Sequence, residues 1–145
     1  MYFSFCCYYD NMKNEKSTHF FEMLGVRAVI FRSIPEKPEI LDHFQGGKGH
    51  LEAYPILNSI EEMQGKGRVF KHMVLQPGCE VGSHVHTGDC ETVYVLKGTA
   101  HCKVDGQMRE IGPGMVHFIA DGEEHYMIND GDEPLEFIAL VLYTD

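Results

Sequence analysis

From residue 68 to residue 143 the sequence reads as short apolar runs broken by turn residues: 68–75, 81–86, 91–96, 99–104, 108–111, 115–120, 124–128 and 135–143. Side chains alternate across a strand, so runs this short and this closely spaced predict an all-β sandwich or barrel. No helix-length periodic segment interrupts them. Asp105-Gly106 and Asp121-Gly122 supply residues that tolerate positive φ, and predict tight hairpins between antiparallel strands. Segments 112–114 and 129–132 punctuate the rest, and no fixed-period repeat is present.

Upstream the signals are more mixed. Residues 17–24 carry a weak helical pattern, 26–31 form a β-branched, aromatic run suited to a strand, and 39–44 read as a short helix. Gly46-Gly47-Lys48-Gly49 has the look of a phosphate-binding loop. Such a loop opens a helix and ends in Lys-Ser or Lys-Thr, whereas a strand at 50–57 follows here, so a plain connection is the reading. Residues 58–64 are too few for more than a turn of helix. The organisation expected is an N-terminal extension, 1–25, irregular and partly helical, followed by a single barrel domain, 26–145. Met12 opens a polar stretch like many native N-termini, so an alternative start there would place the first eleven residues upstream of the native protein.

Charge and hydropathy exclude several functions. The net charge is −10 and the 12 basic residues form no run, which argues against nucleic acid as a partner. No apolar stretch approaches the length of a membrane span. The apolar opening, 1–9, lacks the basic leader and cleavage site of a secretory signal. Five cysteines, Cys6, Cys7, Cys79, Cys90 and Cys102, show no CxxC spacing and read as reduced thiols of a cytoplasmic protein.

The chemistry concentrates between residues 84 and 91. His84 and His86 lie two apart near the end of a strand, so their imidazoles project from one face. Thr87-Gly88-Asp89-Cys90 reads as a four-residue hairpin loop, which makes His86 and Glu91 cross-strand neighbours. Two nitrogens and a carboxylate oxygen on one face suit a divalent metal ion. The bland alternative, satisfied core or surface histidines, fits the carboxylate less well because its charge would then need another partner.

At this point a resemblance becomes specific. Gly78, His84-Val85-His86, Glu91 and Gly98 stand at every spaced position of the first cupin motif. Gly114, Ala120-Asp121-Gly122, His125 and Asn129 resemble the second, with Ala120 where that family usually has proline. The resemblance implies a cupin-type double-stranded β-helix, a jelly-roll barrel of two antiparallel sheets, often dimeric. It supplies His125 as fourth ligand beside His84, His86 and Glu91. These four would hold one divalent ion, Fe, Mn, Ni, Co or Zn, with open coordination positions. By alternation and analogy Val93, Val95, Ala100, Cys102, Val104, Phe118 and Met127 face an apolar cavity, while His72, His101 and His117 are read as surface or core rather than pocket acids or bases. Cys79 and Cys90, next to the ligands in sequence, read as ordinary thiols.

The functional expectation is a metalloenzyme of dioxygenase, isomerase or decarboxylase type acting on a small molecule, its catalytic residues unassigned. The alternative is a non-catalytic sugar-binding, small-molecule-binding or sensing module. The resemblance disfavours thiol dioxygenation, since cupins of that activity generally lack the motif glutamate that stands here as Glu91, and sugar-phosphate chemistry would need Arg68, Lys71 or Lys103 to face the metal. Oxalate-type decarboxylation would need an arginine and a carboxylate there. The long apolar strand at 135–142 requires cover on both faces, which favours a homodimer.

Overall fold

The computed structural model describes residues 30–104 and 106–144. The expected helix at 17–24 lies outside them, as does the strand expected at 26–31 except for Ile30 and Phe31, which are in no strand. The chain divides between Ser33 and Ile34. Among the described residues the second unit carries ten strands: β1 Glu39–Asp42, β2 His50–Leu57, β3 Gly67–Leu75, β4 Glu80–Val85, β5 Asp89–Lys97, β6 Ala100–Val104, β7 Gln107–Ile111, β8 Val116–Ile119, β9 Glu124–Ile128 and β10 Leu135–Tyr143. They form two antiparallel sheets, ordered β1-β2-β3-β10-β5-β8 and β4-β9-β6-β7. This is the jelly-roll architecture expected. No helix among the described residues is long and apolar enough to cross a membrane.

Period-two alternation builds the core. On β10, Leu135, Phe137, Ala139 and Val141 are buried while the residues between them are half-buried or exposed. Their inward side chains meet Val93 and Val95 of β5, Met73 and Leu75 of β3, and Cys102 and Met127 of the smaller sheet. Asn129, fully buried, fastens the crossing from β9 to β10: its Nδ2 donates to the carbonyls of Leu75 and Glu133, each at 2.8 Å, and its Oδ1 accepts from the Gly131 N–H.

Three local expectations need correction. Residues 39–44 are not a helix; Glu39–Asp42 is an edge strand paired with β2, and a short 3-10 turn at Phe44–Gly46 follows. Pairing with β2 overrides a weak local helical pattern. The Thr87–Cys90 segment is not a hairpin loop, because β4 pairs with β9 while β5 pairs with β10 and β8 in the other sheet. Asp121-Gly122 likewise carries the chain between sheets, from β8 to β9, whereas Gly106 does turn a hairpin, β6 to β7. Positive-φ residues mark a sharp turn without specifying which sheet the next strand joins.

The Gly46–Gly49 segment is a plain connection with a structural task. His43 and Gln45 are non-glycine residues at φ 48° and 54°, in the left-handed region. The loop is held there by the Glu80 N–H donating to the Lys48 carbonyl at 2.8 Å and by close backbone contact with β4. A Cβ at Gly82 would collide with the Gln45 carbonyl oxygen and lie 2.7 Å from the Gly47 nitrogen. Gly82→Ala is therefore expected to destabilise the fold by about 1–3 kcal/mol, as overpacking against backbone does. Chemical denaturation checks this, and an unchanged midpoint would show that the loop moves aside freely.

Candidate metal centre

His84 on β4 and His125 on β9 are direct cross-strand partners in the smaller sheet. Glu91 stands on β5 in the larger sheet, between Ile119 and Val141. His86 lies just past β4, where its backbone bonds to the 120–123 turn: its N–H donates to the Glu123 carbonyl and its carbonyl accepts from the Gly122 N–H. The nearness of His86 to Glu91 was anticipated, but it arises across the gap between the sheets and not along a hairpin ladder.

The four predicted ligands come together. The Nε2 atoms of His84 and His125 are 2.9 Å apart, and those of His86 and His125 are 3.3 Å apart. Glu91 Oε2 lies 3.2 Å from Nε2 of both His86 and His125. The four ligand atoms fall within 4.8 Å of one another, and no other such group exists among the described residues. Separations near 3 Å are the edge lengths of a coordination shell with bonds of about 2.0–2.2 Å.

Hydrogen bonding on the far sides of the rings decides what these atoms offer. His84 Nδ1 is 2.9 Å from the Gly82 carbonyl, and His86 Nδ1 is 2.6 Å from Asp89 Oδ1. A carbonyl and a carboxylate only accept, so both Nδ1 atoms carry the proton and a neutral ring turns a lone pair inward at Nε2. Two such lone pairs and a carboxylate converge beside the Nε2 of His125, a cluster of donor atoms that a cation satisfies. The residues fit a divalent metal, and the mixed nitrogen and oxygen set leaves its identity among Fe, Mn, Ni, Co and Zn open.

Without an ion the cluster is electrostatically tense. Burial works against ionised Glu91, yet the imidazoles of His125 and His86 prevail and hold its pKa at about 2. Glu91, against burial and with help from Asp89, raises the pKa of His86. Burial, with His125 and His86 adjoining, lowers that of His84.

Sequence reasoning missed the support behind His86. Asp89 is buried and bridges, its Oδ1 taking the His86 Nδ1–H and its Oδ2 lying 2.6 Å from Arg68 Nε. An acid three residues after a ligand histidine was the available signal. A cavity of ≈ 50 Å³ opens beside the cluster, lined by apolar side chains such as Met73, Val93, Met127 and Phe137, with Arg68 and Gln45 as its polar residues outside the four ligands.

Other residues sort clearly. Val93 and Met127 line the cavity as expected, whereas Val95, Ala100 and Cys102 are buried in the core and Val104 is half-buried against it, none of these four lining the cavity. Phe118 is 59% exposed, a correction: the inward positions of β8 are His117 and Ile119. Burial pushes the Cys102 thiol up to about 11, and Cys79, Cys90 and Cys102 are all free. His72 stacks on Tyr54 beside Glu136, and His101 meets Asp130 at 2.8 Å; neither lines the cavity. His117 is half-buried and does not line the cavity, its ring centroid standing 5.8 Å from that of His125. Lys71 and Lys103 engage Glu39 and Glu124.

Fold and site together define a jelly-roll barrel with a three-histidine, one-carboxylate cluster between its sheets. The family model described as "Cupin domain" matches residues 71–142. An "Oxalate-binding protein" of Thermotoga maritima is 37% identical over 115 residues, covering 79% of this chain and 94% of that protein. The chain therefore belongs to the cupin family. A crystal structure described as a "predicted oxalate decarboxylase" from Thermotoga maritima superposes with TM-score 0.73 at 38% identity, covering 79% of this chain and 99% of that one. The polyketide cyclase RemF from Streptomyces resistomycificus, at 21% identity and TM-score 0.63 over 81% of each chain, shares the fold alone.

Replacing His84 and His86 together by alanine removes both protonated-Nδ1 ligands while leaving the core strands intact. The double variant is expected to lose bound metal and keep its β-sheet circular dichroism; stoichiometric metal on the folded variant would overturn the ligand assignment.

Proposed function

We propose that this cupin holds one divalent metal ion at His84, His86, Glu91 and His125, and acts as a metalloenzyme on a small carboxylate, oxalate being the simplest example. The observation that carries the reading is the cavity: it is small, largely apolar, open to the ligand cluster, and carries one guanidinium, Arg68, on its wall. At ≈ 50 Å³ it is a few times the minimum a single water needs, room for a ligand of a few heavy atoms. A guanidinium matches a carboxylate in charge and in planar donor geometry. The oxalate ligand and reaction in the names of the two Thermotoga proteins support the same class.

A bound metal of this class supplies Lewis-acid or redox activation of the carboxylate. The chain's own residues do the rest. Asp89 fixes Arg68 through Nε, so the guanidinium is pre-set at the wall before any ligand arrives. The apolar lining excludes water and strengthens each polar contact made there. A sugar phosphate is disfavoured by the size of the cavity and by the engagement of Lys71 and Lys103 elsewhere. A non-catalytic binding role is the second reading, favoured by one feature. Among the described residues lining the cavity, no acid or base stands beyond the four ligands and Arg68.

Calorimetry with metal-loaded protein and oxalate tests the ligand class. Arg68→Gln is expected to keep its metal and weaken oxalate binding about 10- to 100-fold, the worth of a charge-assisted hydrogen bond. No heat with wild type would remove oxalate as a ligand. Consumption of oxalate, followed as formate, carbon dioxide or oxygen uptake, separates the enzyme from the binder.

The chain is further proposed to be a homodimer through the outer face of the larger sheet. Tyr94 and Leu96 of β5, Val116 and Phe118 of β8 and Leu142 of β10 are exposed there, with Tyr94 paired to both Val116 and Ile138 in register. A contiguous apolar face on an edge strand and its neighbours suits an isologous contact between two copies. Light scattering is expected to give a dimer for the wild type and a monomer for Phe118→Lys; a monomeric wild type would contradict this.

A further inference from the structure

The three imidazoles of the centre are unequally supported. His84 Nδ1 has the Gly82 carbonyl and His86 Nδ1 has Asp89, but His125 Nδ1 is buried with no hydrogen-bond partner. One other ring nitrogen in the immediate neighbourhood shares this condition: His117 Nε2 is buried and unpartnered. The two rings adjoin, with centroids 5.8 Å apart and planes at 44°.

The strand geometry explains how they meet. On β8 the flanking residues Val116 and Phe118 are exposed, so His117 points inward on the same face as Ile119, opposite Val93 and one step along from Glu91. His125 points inward from β9, which follows β8 after a short crossing. A histidine that binds metal through one nitrogen nearly always donates its other N–H, and an unpaired buried donor is destabilising. A neutral imidazole offers one donor and one acceptor. The Nδ1–H of His125 and the Nε2 lone pair of His117 are complementary and orphaned together.

We propose that His117 is the positioning residue of the centre: its Nε2 accepts the His125 Nδ1–H, directly after a small ring rotation or through one buried water. The contact fixes His125 in the tautomer that turns its Nε2 lone pair to the metal, as the Gly82 carbonyl and Asp89 do for the other two. It rests on the four-residue metal centre proposed above. Position 117 falls among the five unspecified residues between Gly114 and Ala120 of the second motif.

Zinc affinity by chelator competition, together with the melting temperature of the chelated protein, tests this on the full chain. His117→Phe fills the space without an acceptor and is expected to weaken zinc binding 10- to 100-fold, with the chelated melting temperature unchanged. His117→Gln presents an amide oxygen near the Nε2 position and is expected to stay within a few-fold of wild type. Equal zinc affinity for His117→Phe and wild type, or His117→Gln as weak as His117→Phe, overturns the proposal.

Should His117→Phe fail to fold, nitrogen-proton spectra of zinc-loaded wild type carry the test. An exchange-protected Nδ1–H on His125 that shifts in His117→Gln supports the contact, and one that exchanges freely with water overturns it. A wild type that takes up no zinc sinks the metal centre itself, and this proposal with it.

Discussion

The structure turns on the meeting of three imidazoles and one carboxylate whose ligand atoms all lie within 4.8 Å of one another. Two of the rings come from adjacent strands of the smaller sheet, the carboxylate from a central strand of the larger one, and the third ring from the crossing between them. Each piece is where it is because of a backbone feature elsewhere. The β4–β9 register sets His84 against His125, the turn at 120–123 holds His86, and β10 fixes β5 and with it Glu91. Lone pairs gathered this way repel one another unless something positive lies among them, so the arrangement makes sense as a cation site and poorly as ordinary core.

Much of this was legible in the sequence, for reasons that can be named. The strand at His50–Leu57 and those at Glu124–Ile128 and Leu135–Tyr143 were readable to the residue because alternation and turn signals agree there. Glu39–Asp42 was not, since four residues after a proline carry too little pattern to outvote pairing with β2. The turns at 87–90 and 121–122 were recognisable as turns, but their destination is a property of the whole barrel.

The site divides in the same way. His84 and His86 followed from alternation. Glu91 followed from a hairpin that does not exist, and survived because the crossing between sheets brings it equally near. His125 came only through motif resemblance, since nothing local links residues 84 and 125; the structure makes them neighbours in register. Asp89 and Gln45 were not singled out as site residues, Arg68 was named only as one of three basic strand residues of open direction, and Phe118 was turned the wrong way on a strand of four residues where His117 holds an inward place. What sequence could not supply was the cavity, which exists only once both sheets and the strained loop at His43–Gln45 are assembled.

The central claim is that these four residues hold a metal ion. Elemental analysis of the purified chain by plasma mass spectrometry, before and after chelation and after reconstitution with Fe, Mn, Ni, Co or Zn, tests it most directly. The account predicts close to one divalent ion per chain, removable by chelator and restored by at least one of these metals. A chain that carries none of them after reconstitution, while still folded, would contradict it.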